Sequence, residues 1–144
     1  MSRGTTAWLL EDARCGHRSH ERVAQATLVI LELMDEQVVP VLRVDDAARA
    51  VAWYERLGFR KEWEHQFEPG FPWFVSIARG NVRLYLSEHT GDALPDTLIH
   101  LYVDDIDAVA AEFGIPVDEE GLAGRQCNLS DPDGNRLRIA TPRS

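Results

Sequence analysis

Lysine is nearly missing from this chain. Of 15 basic residues only Lys61 is a lysine, and 24 acids bring the formal net charge to −9. Without clustered Lys and Arg to displace counterions, non-specific binding to nucleic acid or to an anionic membrane is excluded. Cysteine is scarce too: Cys15 and Cys127 lie far apart and make no disulfide framework. No run of about 18 apolar residues occurs, and no basic stretch leads into an apolar one near the N-terminus. The expectation is a cytoplasmic protein with no membrane partner. Gly114, Gly121, Gly124 and Gly134 lack the spacing of a phosphate-cradling loop.

What is present describes one globular domain. A length of 144 residues with 44% hydrophobic residues allows a single proper core. The charge is uneven. Ten acids and no Lys or Arg fall between Glu88 and Glu120. Such a stretch reads as a solvated face with helix caps, and it also permits a cationic ligand.

The first 37 residues differ from the rest. Ser19 is placed to cap a helix from His20 to Glu36, with Val23, Ala26, Thr27, Ile30, Leu33 and Met34 on one face. Periodicity leaves a strand over Thr27–Leu31 open as the alternative. Cys15, His17 and His20 have zinc-like spacing, but the second ligand pair is missing; Ser19 beside a histidine is no triad without an orienting acid.

From Val38 a pattern runs twice. An apolar strand over Val38–Val44 ends in Asp45-Asp46, and a helix marked by Ala47, Ala50, Val51, Tyr54 and Leu57 follows, stopped by Gly58. Later, Leu98–Val103 ends in Asp104-Asp105, and Ile106, Val109 and Phe113 mark a second helix stopped by Gly114. Strands are expected at Lys61–Phe67, Trp73–Ala78 and Val82–Ser87. In the second half they fall at Ile115–Val117, Arg125–Leu129 and Arg136–Ala140. The fold class is α+β: paired βαβββ modules (about 38–88 and 97–141) forming curved, mostly antiparallel sheets, with an N-terminal helical extension over 1–37 and a domain over 38–144.

These residues carry a resemblance. Val39-Pro40-Val41-Leu42, the stretch from Ala50 to Leu57-Gly58-Phe59, and Asp131-Pro132-Asp133-Gly134-Asn135 resemble the vicinal-oxygen-chelate (glyoxalase/bleomycin resistance) superfamily. Asn81–Ser87, Thr97–Val103 and Gly124-Arg125 look most like its bleomycin-binding branch. The resemblance implies metal ligands at the positions held here by Val39, Tyr85, Leu98 and Arg138. Aliphatic chains cannot ligate a cation and a guanidinium repels one, so neither a metal nor another cofactor is expected. A slip of two residues would bring His100 to the place of Leu98, on the same strand face.

The resemblance therefore implies a binding protein. The ligand is expected to be small or medium-sized and partly aromatic, such as a bleomycin-type glycopeptide antibiotic, held in a cleft of a homodimer whose first strands can exchange at Pro40. The expected ligand-binding residues are Phe71, Trp73, Phe74, Ser87, His100, Tyr102 and Arg138. His100 and Tyr102 stand at aromatic positions of the drug-binding strand. Phe71, Trp73 and Phe74 form an aromatic flap or, alternatively, an edge anchor of the core. Ser87 is either a polar cleft residue or a capping hydroxyl. Arg138, if it points into the cleft, suits an anionic or carboxylate-bearing ligand. The alternative is an enzyme on the same fold, with His65, Glu88 and His100 as acid–base candidates and no residue assigned as catalytic.

Overall fold

The computed structural model describes residues 36–142. The helix expected from His20 to Glu36 lies outside the described residues but for Glu36, and Cys15, His17 and His20 lie outside them entirely. The element order is β1 (Val41–Arg43), α1 (Ala47–Arg56), β2 (Arg60–Gln66), β3 (Trp73–Arg79), β4 (Val82–Ser87), β5 (Leu98–Tyr102), α2 (Ile106–Phe113), β6 (Arg125–Ser130) and β7 (Arg136–Thr141). The strands form two sheets, ordered β1-β4-β3-β2 and β5-β7-β6. Each has one parallel pair, β1 with β4 and β5 with β7; every other pairing is antiparallel.

The second Asp of each repeated pair caps its helix. Asp46 accepts from the Arg49 amide at 3.2 Å and Asp105 from the Ala108 amide at 3.1 Å, satisfying amides that have no partner inside the helix. Gly58 follows α1 at φ +92°, and Gly114 closes α2 at φ +63°, a conformation that costs glycine nothing.

Two expected strands shrink where proline denies the ladder a donor. The strand read over Val38–Val44 is reduced to Val41–Arg43, although the Pro40 carbonyl still accepts from the Tyr85 amide at 2.9 Å. Ile115–Val117, interrupted by Pro116, forms no strand; only a bridge between Asp118 and Gln126 remains. The second module is thus a three-stranded version of the first.

Each helix covers one face of its own sheet. Under α1, Ala50 and Tyr54 meet a layer containing Leu42, Val75, Ile77, Leu84 and Leu86; around α2, Ile106 and Val109 join Leu101, Leu137 and Ile139. All belong to one continuous hydrophobic cluster. Trp53 on α1 packs on Phe113 of α2, with ring centroids 5.2 Å apart, and joins the two halves.

A polar knot also ties the modules. The Tyr54 hydroxyl donates to Asp131 Oδ2 at 2.8 Å, and Asn135 Nδ2 donates to the same oxygen at 3.0 Å. Asp131 Oδ1 accepts from the amides of Asp133 (2.8 Å) and Asn135 (2.9 Å). Asn135 Nδ2 also reaches the Arg43 carbonyl at 3.0 Å, and its Oδ1 takes the Thr97 amide at 3.2 Å. Burial, together with the Asp131 charge, pushes the Tyr54 phenol far above its ordinary range, so it stays a donor at any working pH.

A buried carboxylate that loses a donor keeps its desolvation cost. Tyr54→Phe is therefore expected to lower unfolding stability by about 1–3 kcal/mol, and Asp131→Ala by more, in urea titrations. A Tyr54→Phe change within 0.3 kcal/mol (roughly the noise between independent sites) would deny the knot its role.

Candidate functional site

Because each helix covers only one face, each sheet presents the other. On the first sheet the strand period sends Trp63, His65, Phe74, Tyr85 and their same-face neighbours away from α1. Three rings cluster there. Trp63 stacks on Phe74 at 6.1 Å with 16° between planes, and Tyr85 meets both, at 5.6 Å from Trp63 and 5.1 Å from Phe74. The cluster continues toward the flap. His65 meets Phe67 edge-on at 4.5 Å, and Phe67 meets His89 at 5.7 Å. Phe67 is 64% exposed, a large apolar surface to leave in water.

Beside the rings lies a fixed ion pair. Glu62 takes Arg83 in a two-pronged contact, at 2.6 Å to Nε and 2.7 Å to Nη2, and accepts from the Ser76 hydroxyl at 2.8 Å. The Arg83 hydrogen bonds hold the Glu62 carboxyl below its usual range, against the opposing effect of burial. Burial raises the Tyr85 phenol, so that ring stays neutral. The indole Nε1 of Trp63 and Nε2 of His89 are buried with no hydrogen-bond partner among the described residues. Each is costly to leave unsatisfied.

The second sheet presents a different face. Leu98, His100 and Tyr102 alternate outward along β5 while Leu101 is buried. Arg138 on β7 stands directly between His100 of β5 and Asn128 of β6 in the ladder register. A shallow depression of about 230 Å³ lies along this face, lined by Leu98, Asn128, Ser130, Arg136 and Arg138 among others.

The residues expected to bind ligand are thus divided. Phe74 joins the aromatic face of the first sheet. His100, Tyr102 and Arg138 share the face of the second. Phe71 is exposed in the turn before β3, where its carbonyl accepts from Gln66 Nε2 at 2.8 Å. Trp73 lies on the helix side and packs against the core. Ser87 is fully buried; its hydroxyl donates to Asp92 at 2.6 Å and accepts from the His89 amide at 3.1 Å, the geometry of a cap. Trp63 and Tyr85 were not among the expected residues. Their signal was nonetheless present: Trp63, His65 and Phe67 alternate along one strand, as do Arg83, Tyr85 and Ser87 along another.

The acid–base candidates are similarly dispersed. Glu88 spends one oxygen on the Ala47 amide (2.8 Å) and the other on the Trp73 amide (3.0 Å), tying α1 to the start of β3. His65 and His100 sit on different sheets. Among the described residues no three His, Cys, Asp or Glu side chains converge as a metal-binding group. Of the positions that the resemblance gives to metal ligands, Tyr85 faces outward on the first sheet, and Leu98 and Arg138 face outward on the second.

With this geometry in place, the comparisons fix the family. The model of the glyoxalase superfamily matches residues 23–143, and the chain belongs to that superfamily. No curated protein matches. Among solved structures, it is similar to the bleomycin-binding protein of bleomycin-producing Streptomyces verticillus complexed with copper(II)-bleomycin. They are 28% identical, with a TM-score of 0.56 over 76% of this chain and all of the other. It is similar to the antibiotic binding protein TnmS3 of Streptomyces sp. CB03234, again at 28% identity and TM-score 0.56, over 76% of this chain and 99% of the other. The fosfomycin resistance protein FosX of Mesorhizobium loti shares the fold at 17% identity and TM-score 0.56, over 76% of this chain and 94% of the other. No helix among the described residues is long and apolar enough to cross a membrane.

The Glu62–Arg83 pair has a defined acid response. Its carboxyl titrates lower in the folded chain than the ordinary value of 4.5, so the pair stabilises fully above that value. The contribution disappears as pH falls through the lower folded value. Stability measured between pH 6 and 3 should fall more steeply for the native chain than for Glu62→Gln. Parallel curves would contradict the pairing.

Proposed function

We propose that this protein binds and sequesters a small or medium-sized, partly aromatic ligand, of which a bleomycin-type antibiotic is the leading candidate. The observation that carries this reading is the open face of the first sheet. Trp63, Phe74 and Tyr85 form a preorganised stacking surface. Rings held in place by their neighbours lose little freedom when a flat ligand docks on them. Two similar proteins at 28% identity are described as bleomycin-binding and antibiotic binding, which supports the same class of activity here.

Sequestration needs no bond chemistry, only affinity and abundance. The binder is favoured over the enzymatic alternative because Glu88 already spends both oxygens on backbone amides. A homodimer would complete the site by setting the aromatic face of one copy against the second-sheet face of another. On this reading Phe71 flanks the ring cluster that includes Phe74, His100, Tyr102 and Arg138 supply the facing wall, Ser87 caps the end of β4 beside the rings, and Trp73 anchors the start of β3 from the helix side. The domain over 38–144 carries the cleft, and residues 1–37 add to the dimer contact or cover it. Cytoplasmic placement accords with the unpaired, buried Cys127.

Calorimetry with metal-free bleomycin at about 100 μM protein is expected to show saturable heat, and Trp63→Ala should weaken binding about tenfold or more. Absence of heat at that concentration would remove the drug assignment. Unchanged affinity in Trp63→Ala would misplace the site. Sedimentation equilibrium should give twice the chain mass, and a monomer that still binds the drug would contradict the shared cleft.

A further inference from the structure

The face of the second sheet carries a charge pattern at odds with the chain around it. Arg138 has no ion pair and no hydrogen bond to any described residue, in a protein whose acids outnumber its bases by nine. Its neighbour two positions earlier, Arg136, is held by Asp96 at 3.1 Å. Elsewhere acids are spent on arginines freely: Arg125 alone takes both Asp107 and Glu119 at 2.8–2.9 Å. Arg138 stands on the central strand of its sheet, where solvent reaches it only from the open face.

Its neighbours across the ladder are donors. His100 on β5 and Asn128 on β6 are in register with Arg138, so the three make one row across the sheet. Asn128 Oδ1 already accepts from Gln126 Nε2 at 3.3 Å, and its amide nitrogen, a donor, has no partner among the described residues. Apolar surface flanks the row along β5, where Leu98 is 36% and Tyr102 56% exposed. The depression of about 230 Å³ along Arg138 and Asn128 is large enough for a carboxylate or similar group but not for a whole drug.

We propose that the His100–Arg138–Asn128 row is an anion subsite, and that the ligand of this protein is an amphiphilic anion. Its carboxylate or other oxyanion sits on Arg138 and Asn128, and its apolar or aromatic body lies over Leu98 and Tyr102. A guanidinium presents a planar fork that matches a carboxylate's two oxygens, and a pair formed on a sheet face beside apolar groups is screened less than one in open water. This inference rests on the reading of the protein as a binder of a partly aromatic ligand, and not on bleomycin, a cation, being that ligand.

The test uses the full chain and two isosteric probes, 2-naphthoate and 2-naphthamide, titrated by calorimetry or ligand-observed NMR. The native protein should bind the anion about tenfold tighter than the neutral amide or more. Arg138→Gln should bring the two to parity, Arg138→Lys should restore part of the preference, and Tyr102→Ala should weaken both probes alike. Equal affinities in the native protein, a preference that survives Arg138→Gln, or no binding of either probe would overturn the subsite. Bleomycin heat without a naphthoate preference leaves the binder standing and removes the row. A naphthoate preference without bleomycin heat keeps the row and removes the drug.

Discussion

A single buried carboxylate, Asp131, holds the two halves of this protein in register. It is 5% exposed and sits in the turn between β6 and β7. Four donors converge on it: the Tyr54 hydroxyl from α1, the Asn135 side chain, and the amides of Asp133 and Asn135. A charge taken from water at this depth is tolerable only when its lone pairs are filled. The donors come from both modules, so any displacement of one module against the other leaves the carboxylate short. Asn135 extends the constraint to the Arg43 carbonyl and the Thr97 amide, the end of one first strand and the approach to the other. Trp53 against Phe113 supplies the apolar counterpart between the helices.

Fixing the modules this way decides which surfaces remain for function. With one helix per sheet and the helices engaged with each other, the opposite sheet faces stay open. Those faces differ in chemistry: the first is aromatic, with Trp63, Phe74 and Tyr85 in mutual contact, and the second presents Arg138 between two polar neighbours. The acid-rich stretch from Glu88 to Glu120 falls between them in sequence, yet most of its charge has a structural partner. Glu88 caps α1 and anchors β3, Asp92 takes Ser87, and Asp105 caps α2. Asp96, Asp107, Glu112 and Glu119 pair with arginines. The net charge of −9 is therefore weak evidence for a cationic ligand.

Much of the fold was legible because its signals are local. Paired Asp residues before apolar helices, glycines after them and alternation within strands placed eight of the nine elements among the described residues close to their observed bounds, and the ninth, β1, within a longer expected strand. The sequence failed where a tertiary or backbone constraint overrode the local pattern. Pro116 removed a donor from an otherwise apolar segment and dissolved a strand. Trp73 and Phe74 look alike in sequence, but the pairing of Gln66 with Trp73 and of His65 with Phe74 sends one to the core and the other to the open face. A one-residue difference in a strand is a change of side, and only the ladder settles it. Trp63 gives little signal in the sequence because β2 is mostly charged and its ring partners come from other strands. The knot at Asp131 was readable only as a family turn, since its partner Tyr54 lies 77 residues away.

The distribution of tryptophans offers a direct test of the account. Trp53 and Trp73 pack against the core, while Trp63 lies in the aromatic face with its indole N–H unpartnered among the described residues. Titrating metal-free bleomycin into nitrogen-15-labelled protein reports each indole separately. A large shift of the Trp63 indole resonance, with those of Trp53 and Trp73 little moved, is the predicted result. Saturable shifts at Trp53 or Trp73 with Trp63 unmoved would contradict it and place the ligand elsewhere.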